Sequence, residues 1–238
     1  MVQVLGSVDW GGPALALLAH CSSLDGERPA VIHIRHTERP LIEEMVDGKT
    51  TVSTETGKEA AYEFGRSLPC SRRYRFFHSY YERARETAVK IHEGVLDGGG
   101  SSEVLGSVSL ASVLNHEAYY RHLSRFSDTE YHAQGYFYRW VSGHFPPEVL
   151  MPSMEFAKKG AEIMMGNLRS GGSDSFDVYA SHDTWVAAFM FHWFGLLPSR
   201  EWVKFLDGFI VQFSDEGMTV YSKEGRMEVD FPHWWEPL

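Results

Sequence analysis

Ala30-Val31-Ile32-His33-Ile34-Arg35-His36-Thr37-Glu38-Arg39-Pro40 joins two different chemistries end to end. The first half, Ala30–Ile34, is short, apolar and rich in β-branched residues, the composition of a buried strand. The second half turns abruptly to two arginines around a histidine, with Pro40 closing the segment. A buried strand that ends in charge suits an α/β sheet, where ligands bind beyond the carboxyl ends of strands. A histidine at that place can attack through one ring nitrogen while the other is held by a hydrogen bond. Arginines supply planar forks that match phosphate oxygens. Taken alone, this stretch also fits a solvated charge cluster on a surface loop.

Downstream, the pattern of strand then helix recurs. Thr56 and Glu59 have the spacing of a capping box, followed by Ala60, Phe64 and Leu68 at helical intervals and then Pro69. The basic patch Arg72, Arg73 and Arg75, read as a solvated face, leads into Phe76-Phe77, read as a second strand. Ser79 and Glu82 make another capping box, with Tyr81, Ala84, Ala88, Ile91 and Val95 forming an amphipathic face behind it. Gly98–Ser102 reads as a loop, and no lysine follows its glycines, so it is not a nucleotide P-loop. Leu150, Met154, Ala157, Ala161, Met164 and Leu168 mark a long helix ended by Gly171-Gly172. Phe176–Ala180 reads as a strand and Thr184–Gly195 as a helix. Phe209–Phe213 and Met218–Tyr221, around Asp215-Glu216-Gly217, read as a hairpin. The fold class expected from this order is a three-layer α/β/α sandwich with a mainly parallel central sheet. It forms a single domain over 1–238, with 1–29 as an N-terminal extension. Residues 116–147, dense in aromatics, form a cap insert or else an aromatic core or subunit surface.

Two further stretches fall at strand-to-helix junctions. In Ser79-x-x-x-Arg83-x-x-x-Thr87-Ala88 the arginine sits in the first turns of a helix, where unpaired N–H groups and the helix dipole favour anions. In Ser181-His182-Asp183-Thr184 a histidine and a carboxyl group stand side by side, an anion ligand next to a proton donor. Each has a bland alternative: a surface ion pair for Arg83, an N-cap for Asp183. Three such pieces at one edge of one sheet make a shared anionic pocket the simpler account.

Composition narrows the possibilities. With 22 Lys+Arg against 32 Asp+Glu the formal charge is −10, which disfavours nucleic acid and acidic membranes as partners. No apolar run approaches the roughly 18 residues of a membrane span. The short run Ala14–Ala19 lacks a basic segment before it, so no secretory leader is expected there. Cys21 and Cys70 make no disulfide framework, and a cytoplasmic location is expected. His33 and His36 point to opposite faces if the strand continues through them, so no metal is expected.

Together these motifs resemble the histidine phosphatase (phosphoglycerate mutase-like) superfamily. Arg35-His36-Thr37-Glu38-Arg39-Pro40 resembles its Arg-His-Gly signature, with Thr37 where glycine is usual. Thr56-Gly57-Lys58-Glu59-Ala60 looks like a weakened Thr-x-x-Gly-x-x-Ala segment. Ser79 to Ala88 matches its Ser-x-x-x-Arg-x-x-x-Thr-Ala element, and His182 its second histidine. Arg39, Pro40 and the His182-Asp183 step are similar to the acid phosphatase branch, whereas the chain length resembles the mutases.

The resemblance implies a metal-independent, cofactor-free phosphomonoester hydrolase acting through a phosphohistidine on His36. Arg35, Arg83 and His182, with Arg39, would bind the non-bridging oxygens. Asp183 is the first candidate for the proton donor and Glu117, in the aromatic insert, the alternative. The substrate would be a small-molecule or protein phosphomonoester. A phosphomutase and a phosphate-binding scaffold without turnover are the alternative functions on the same fold. Oligomeric state is open.

Overall fold

In the computed structural model, residues 3–26, 28–42, 48–123, 132–172, 175–197 and 201–235 are described. The elements in chain order are α1 (Gly12–Cys21), β1 (Ala30–Arg35), α2 (Glu55–Arg66), β2 (Arg73–His78), α3 (Glu82–Asp97), β3 (Ser101–Ser107) and α4 (His116–Leu123). They continue with α5 (His132–Val141), α6 (Ser153–Gly171), β4 (Ser175–Ser181), α7 (Asp183–Phe194), β5 (Gly208–Phe213), β6 (Met218–Ser222) and β7 (Gly225–Val229).

The strands form one mixed sheet in the order β3-β2-β4-β1-β5-β6-β7. β3, β2, β4 and β1 are mutually parallel, and β5, β6 and β7 extend the sheet by antiparallel steps. Alternation along β1 explains the layers. Ala30, Ile32 and Ile34 enter a core built with α1, α2 and α3, while Val31 faces a second core built with α5, α6 and α7. The expected three-layer α/β/α sandwich is therefore present, its second half closed by antiparallel strands.

The register places the ends of the parallel strands level. Arg35 is opposite Ser181 across β1–β4, and His78 is opposite Ala180 across β2–β4. The next backbone groups continue the ladder: His36 N–H donates to Ser181 O at 2.9 Å and Ser79 N–H to Ala180 O at 3.0 Å. Three chain segments distant in sequence thus leave the sheet side by side.

Several local readings shift. The N-cap of α2 is Thr54 rather than Thr56, with the Thr54 hydroxyl accepting from Gly57 N–H at 2.9 Å. The expected Ser79–Glu82 box does not form. Tyr81, extended at φ −85°, is the N-cap of α3, and the Ser79 hydroxyl is engaged elsewhere. Gly98–Ser102 is not all loop: Gly99 turns the chain at φ +84°, and Ser101 and Ser102 already belong to β3. Met154 is turned outward from α6, and Leu150 precedes that helix, bridging to Val113.

The basic patch is no patch. Arg72 bonds the carbonyls of Asp25 and Arg28, and Arg73 pairs with Glu103. Arg75 is buried in a two-pronged ion pair, Nε to Asp177 Oδ1 at 2.7 Å and Nη2 to Oδ2 at 2.8 Å. The N-terminal extension is equally integrated. Backbone N–H groups of Gln3, Val4 and Leu5 converge on the Glu63 carboxylate, and Ala14, Leu17 and Leu18 of α1 are buried. Both cysteines are free, Cys21 buried and Cys70 exposed. No helix among the described residues is long and apolar enough to cross a membrane.

Candidate active site

His36, the first residue beyond β1, is 3% exposed. Its Nδ1–H donates to the Thr37 carbonyl at 2.7 Å, which fixes the tautomer and leaves a lone pair on Nε2. Arg83 Nε–H donates to that nitrogen at 2.9 Å. Burial, and then the charges of Arg83 and Arg35 and the neighbouring His182, hold the imidazole's pKa well below its ordinary value. His36 is therefore neutral at pH 7 and presents Nε2 as a base or nucleophile.

The loop that carries it is held from several directions. Thr37 N–H donates to the Thr87 hydroxyl at 3.0 Å, and the Thr37 hydroxyl donates to Gly57 O at 2.8 Å. Gly57 must be glycine for this approach, because a Cβ there would stand 2.6 Å from the Glu38 carbonyl oxygen. Glu38 in turn accepts from the Thr54 hydroxyl at 2.5 Å and from Trp10 Nε1–H at 3.1 Å. Thr37 is thus held at both its N–H and its hydroxyl.

Arg83 lies one residue inside α3. Besides His36 it donates through Nη1 to Gly48 O and through Nη2 to His182 Nδ1 at 3.4 Å. The Tyr81 ring lies 4.6 Å beneath its guanidinium. Burial and the nearby charge of Arg39 lower the Arg83 pKa to about 10, so the group stays cationic at neutral pH.

His182, just beyond β4, bonds the Ser79 hydroxyl through Nε2 at 2.9 Å. With Nδ1 accepting from Arg83, Nε2 carries the proton and donates to Ser79. Its centroid is 5.6 Å from that of His36, and burial followed by Arg83 depresses its pKa well below the ordinary value.

Asp183 opens α7. Oδ1 accepts from Thr184 N–H at 2.8 Å and Oδ2 from Trp202 Nε1–H at 2.9 Å, with Arg35 Nη2 at 3.6 Å. Burial pushes this carboxyl up, but Arg35, the Trp202 hydrogen bond, His182 and the Thr184 amide together take it below the usual range. Arg35 also donates to Val203 O at 2.6 Å and packs over Phe205 at 4.3 Å. Arg39 donates to Pro40 O at 2.7 Å through Nη1, while its buried Nε has no hydrogen-bond partner among the described residues.

These groups share one cavity of about 540 Å³. Arg35, His36, Arg39, Arg83, His182 and Asp183 all line it, and Asp183 is the sole carboxylate among its described lining residues. Glu117 is not brought there. It sits on the outer side of α4, 87% exposed and 3.8 Å from Arg121, and it does not line the cavity. A helix-face position one turn from Arg121 accounts for this.

The aromatic insert divides its side chains. Tyr119, Tyr120 and Tyr136 line the cavity, while Phe137, Trp140 and Phe145 join the core. Phe126 and Tyr131 lie outside the described residues. Trp202 and Phe205, which hold Asp183 and Arg35, escaped the sequence reading because they belong to no motif and lie far downstream of β1. His33 packs against Phe189, Phe209 and Tyr179 and bonds Ser181 Oγ at 2.5 Å.

No family model matches the chain, and no curated protein matches it by sequence. Solved structures do. Phosphoglycerate mutase from Bacillus anthracis aligns with a TM-score of 0.53 at 12% identity, covering 87% of this chain and 93% of the other. Bacillus stearothermophilus YhfR aligns at 0.55 and 15% identity, covering 79% and 92%. Mycobacterial hydrolase 1 aligns at 0.50 and 15% identity, covering 89% and 100%. Identities this low speak to the backbone alone, and by its backbone the chain has a phosphoglycerate mutase-like fold.

Proposed function

We propose that the protein is a metal-independent phosphomonoester hydrolase with His36 as the nucleophile. The observation that carries this reading is a neutral, buried His36 whose Nε2 faces Arg83 at 2.9 Å in a cavity shared with Arg35, Arg39 and His182. An incoming phosphoryl group replaces Nε2 as the acceptor of the Arg83 N–H and draws on Arg35 and Arg39 through its other oxygens, while His182 Nδ1 accepts from Arg83 Nη2 and holds that guanidinium in place. These preoriented donors stabilise the charge of the transferring group. His36 Nε2 then forms the N–P bond as the ester P–O bond breaks, and the Thr37 carbonyl stabilises the proton left on Nδ1.

The leaving oxygen takes a proton from Asp183. Arg35 and Trp202 hold this carboxyl ionised. A phosphate dianion offsets the arginines and raises the carboxyl's proton affinity, and an ester arriving as a monoanion brings the proton with it. Water then attacks the phosphohistidine with Asp183 as base, returning His36 to its neutral state.

A panel of phosphomonoesters, with acid-quenched trapping of phosphohistidine, tests the reading. Wild type should form an acid-labile phosphoryl adduct and release phosphate. His36→Ala should form no adduct and lose turnover by more than the 10²–10³-fold typical of a single lost donor. Undiminished turnover in His36→Ala would overturn it.

A further inference from the structure

Every charged side chain among the described lining residues of the cavity belongs to the cluster around His36. Arg83 touches His36 and His182, Arg35 touches Asp183, and Arg39 shares the field of Arg35 and Asp183. The rest of the described lining is uncharged and, apart from Ser112 and Thr184, aromatic or aliphatic, including Tyr80, Tyr119, Tyr120, Val113, Leu123 and Tyr136. The tyrosines are neutral there: burial raises the pKa of Tyr119, Tyr120 and Tyr136. The rings are arranged as an edge-and-tilt cluster, with Tyr119–Tyr120 at 5.7 Å, Tyr119–Tyr136 at 5.8 Å and Tyr80–Tyr81 at 4.7 Å between centroids. Tyr81 joins this wall to the cationic end, its ring 4.5 Å from that of His182.

Such a site is polar where a phosphoryl group would bind and aromatic where the esterified alcohol would lie. About 540 Å³ is the size of a pocket for a drug-sized ligand rather than a three-carbon acid. A small phospho-acid would leave the aromatic wall in contact with water. Stacking on an aromatic ring adds to what burial of its area contributes. Resting on the phosphatase reading of the same site, we propose that the substrate is a phosphomonoester of an aromatic-bearing alcohol.

Aryl esters react faster for their better leaving groups alone, so the test uses alkyl esters of similar leaving-group basicity. 2-Phenylethyl phosphate should show kcat/KM at least about tenfold above ethyl phosphate, from ring burial and stacking together. Tyr120→Ala should compress that ratio several-fold. α4 buries no residue fully, so the fold does not depend on this ring, and unchanged circular dichroism checks that. Equal kcat/KM for the two esters, or a higher value for 3-phosphoglycerate, would overturn the proposal. The phosphonate analogues separate it from the catalytic reading. If no ester turns over yet 2-phenylethylphosphonate binds at least about tenfold tighter than ethylphosphonate in calorimetry, the aromatic wall stands and the catalytic reading falls. Equal binding of the two phosphonates removes the wall whether or not the enzyme turns over.

Discussion

His36 uses its two ring nitrogens for different ends, and each is set by a neighbour one step removed from the chemistry. Nδ1 is fixed by the Thr37 carbonyl, and Thr37 is fixed by Thr87 and Gly57. Asp183 is governed the same way by Trp202, whose indole N–H holds Oδ2 at 2.9 Å. That bond favours the ionised carboxylate and so lowers its pKa. Trp202→Phe keeps the ring and removes the donor, so the Asp183 pKa rises. A general acid works only while protonated, and kcat falls as pH climbs past its pKa in the substrate complex. The alkaline limb of the kcat profile should therefore move to higher pH in Trp202→Phe. The acid limb, set by His36 with its depressed pKa, should stay below pH 6.5 in both proteins. A pH–rate series on one alkyl phosphate checks both limbs, and an unmoved alkaline limb would remove Asp183 as the acid.

At the scale of elements, what brings the site together is the level ending of β1, β2 and β4. Each strand was visible in the sequence as a short run, Ala30–Ile34, Phe76-Phe77 and Phe176–Ala180, and so was the helix behind each. Which strands lie beside one another was not visible, because strand order is set by long-range pairing that leaves no local pattern. Capping was misread for a related reason: Ser79 has the composition of a cap, but His182, brought up by β4, takes its hydroxyl. The Arg75–Asp177 pair, bridging β2 and β4, is another product of that pairing. Its side chains are 5% and 0% exposed, so removing one partner strands a charge in the interior. Asp177→Ala should cost about 3–5 kcal/mol, measured by urea unfolding. Replacing both, Arg75→Met with Asp177→Leu, should cost clearly less, since no lone charge is left. Equal losses in the two proteins would mean that the pair is packing and not electrostatics.

For the whole molecule, the buried histidines tie stability to pH. The sequence displayed them, yet whether a histidine lies inside or outside depends on packing that only the assembled layers define. His33 is the clearest case, 1% exposed, with burial lowering its pKa to about 3 from 6.5. The unfolded chain binds this proton below pH 6.5 and the folded one does not until about pH 3, so stability is lost as pH falls through that window. At pH 5 the loss from His33 alone is about 2 kcal/mol, from 1.36 kcal/mol per unit. His36 and His182, also lowered by burial, add to it. Asp177 runs the other way: burial lifts its carboxyl to about 6 despite Arg75, and it recovers some stability as pH drops below that value. His33→Gln retains an amide to bond Ser181 and removes the titration. Its stability should fall less than that of wild type between pH 7 and pH 5, by about 2 kcal/mol in urea unfolding. Parallel pH profiles for the two proteins would mean that His33 gains a proton in the folded state. The neutral imidazoles that suit His36 to attack in mild acid are thus drawn from a set whose burial weakens the fold under the same conditions.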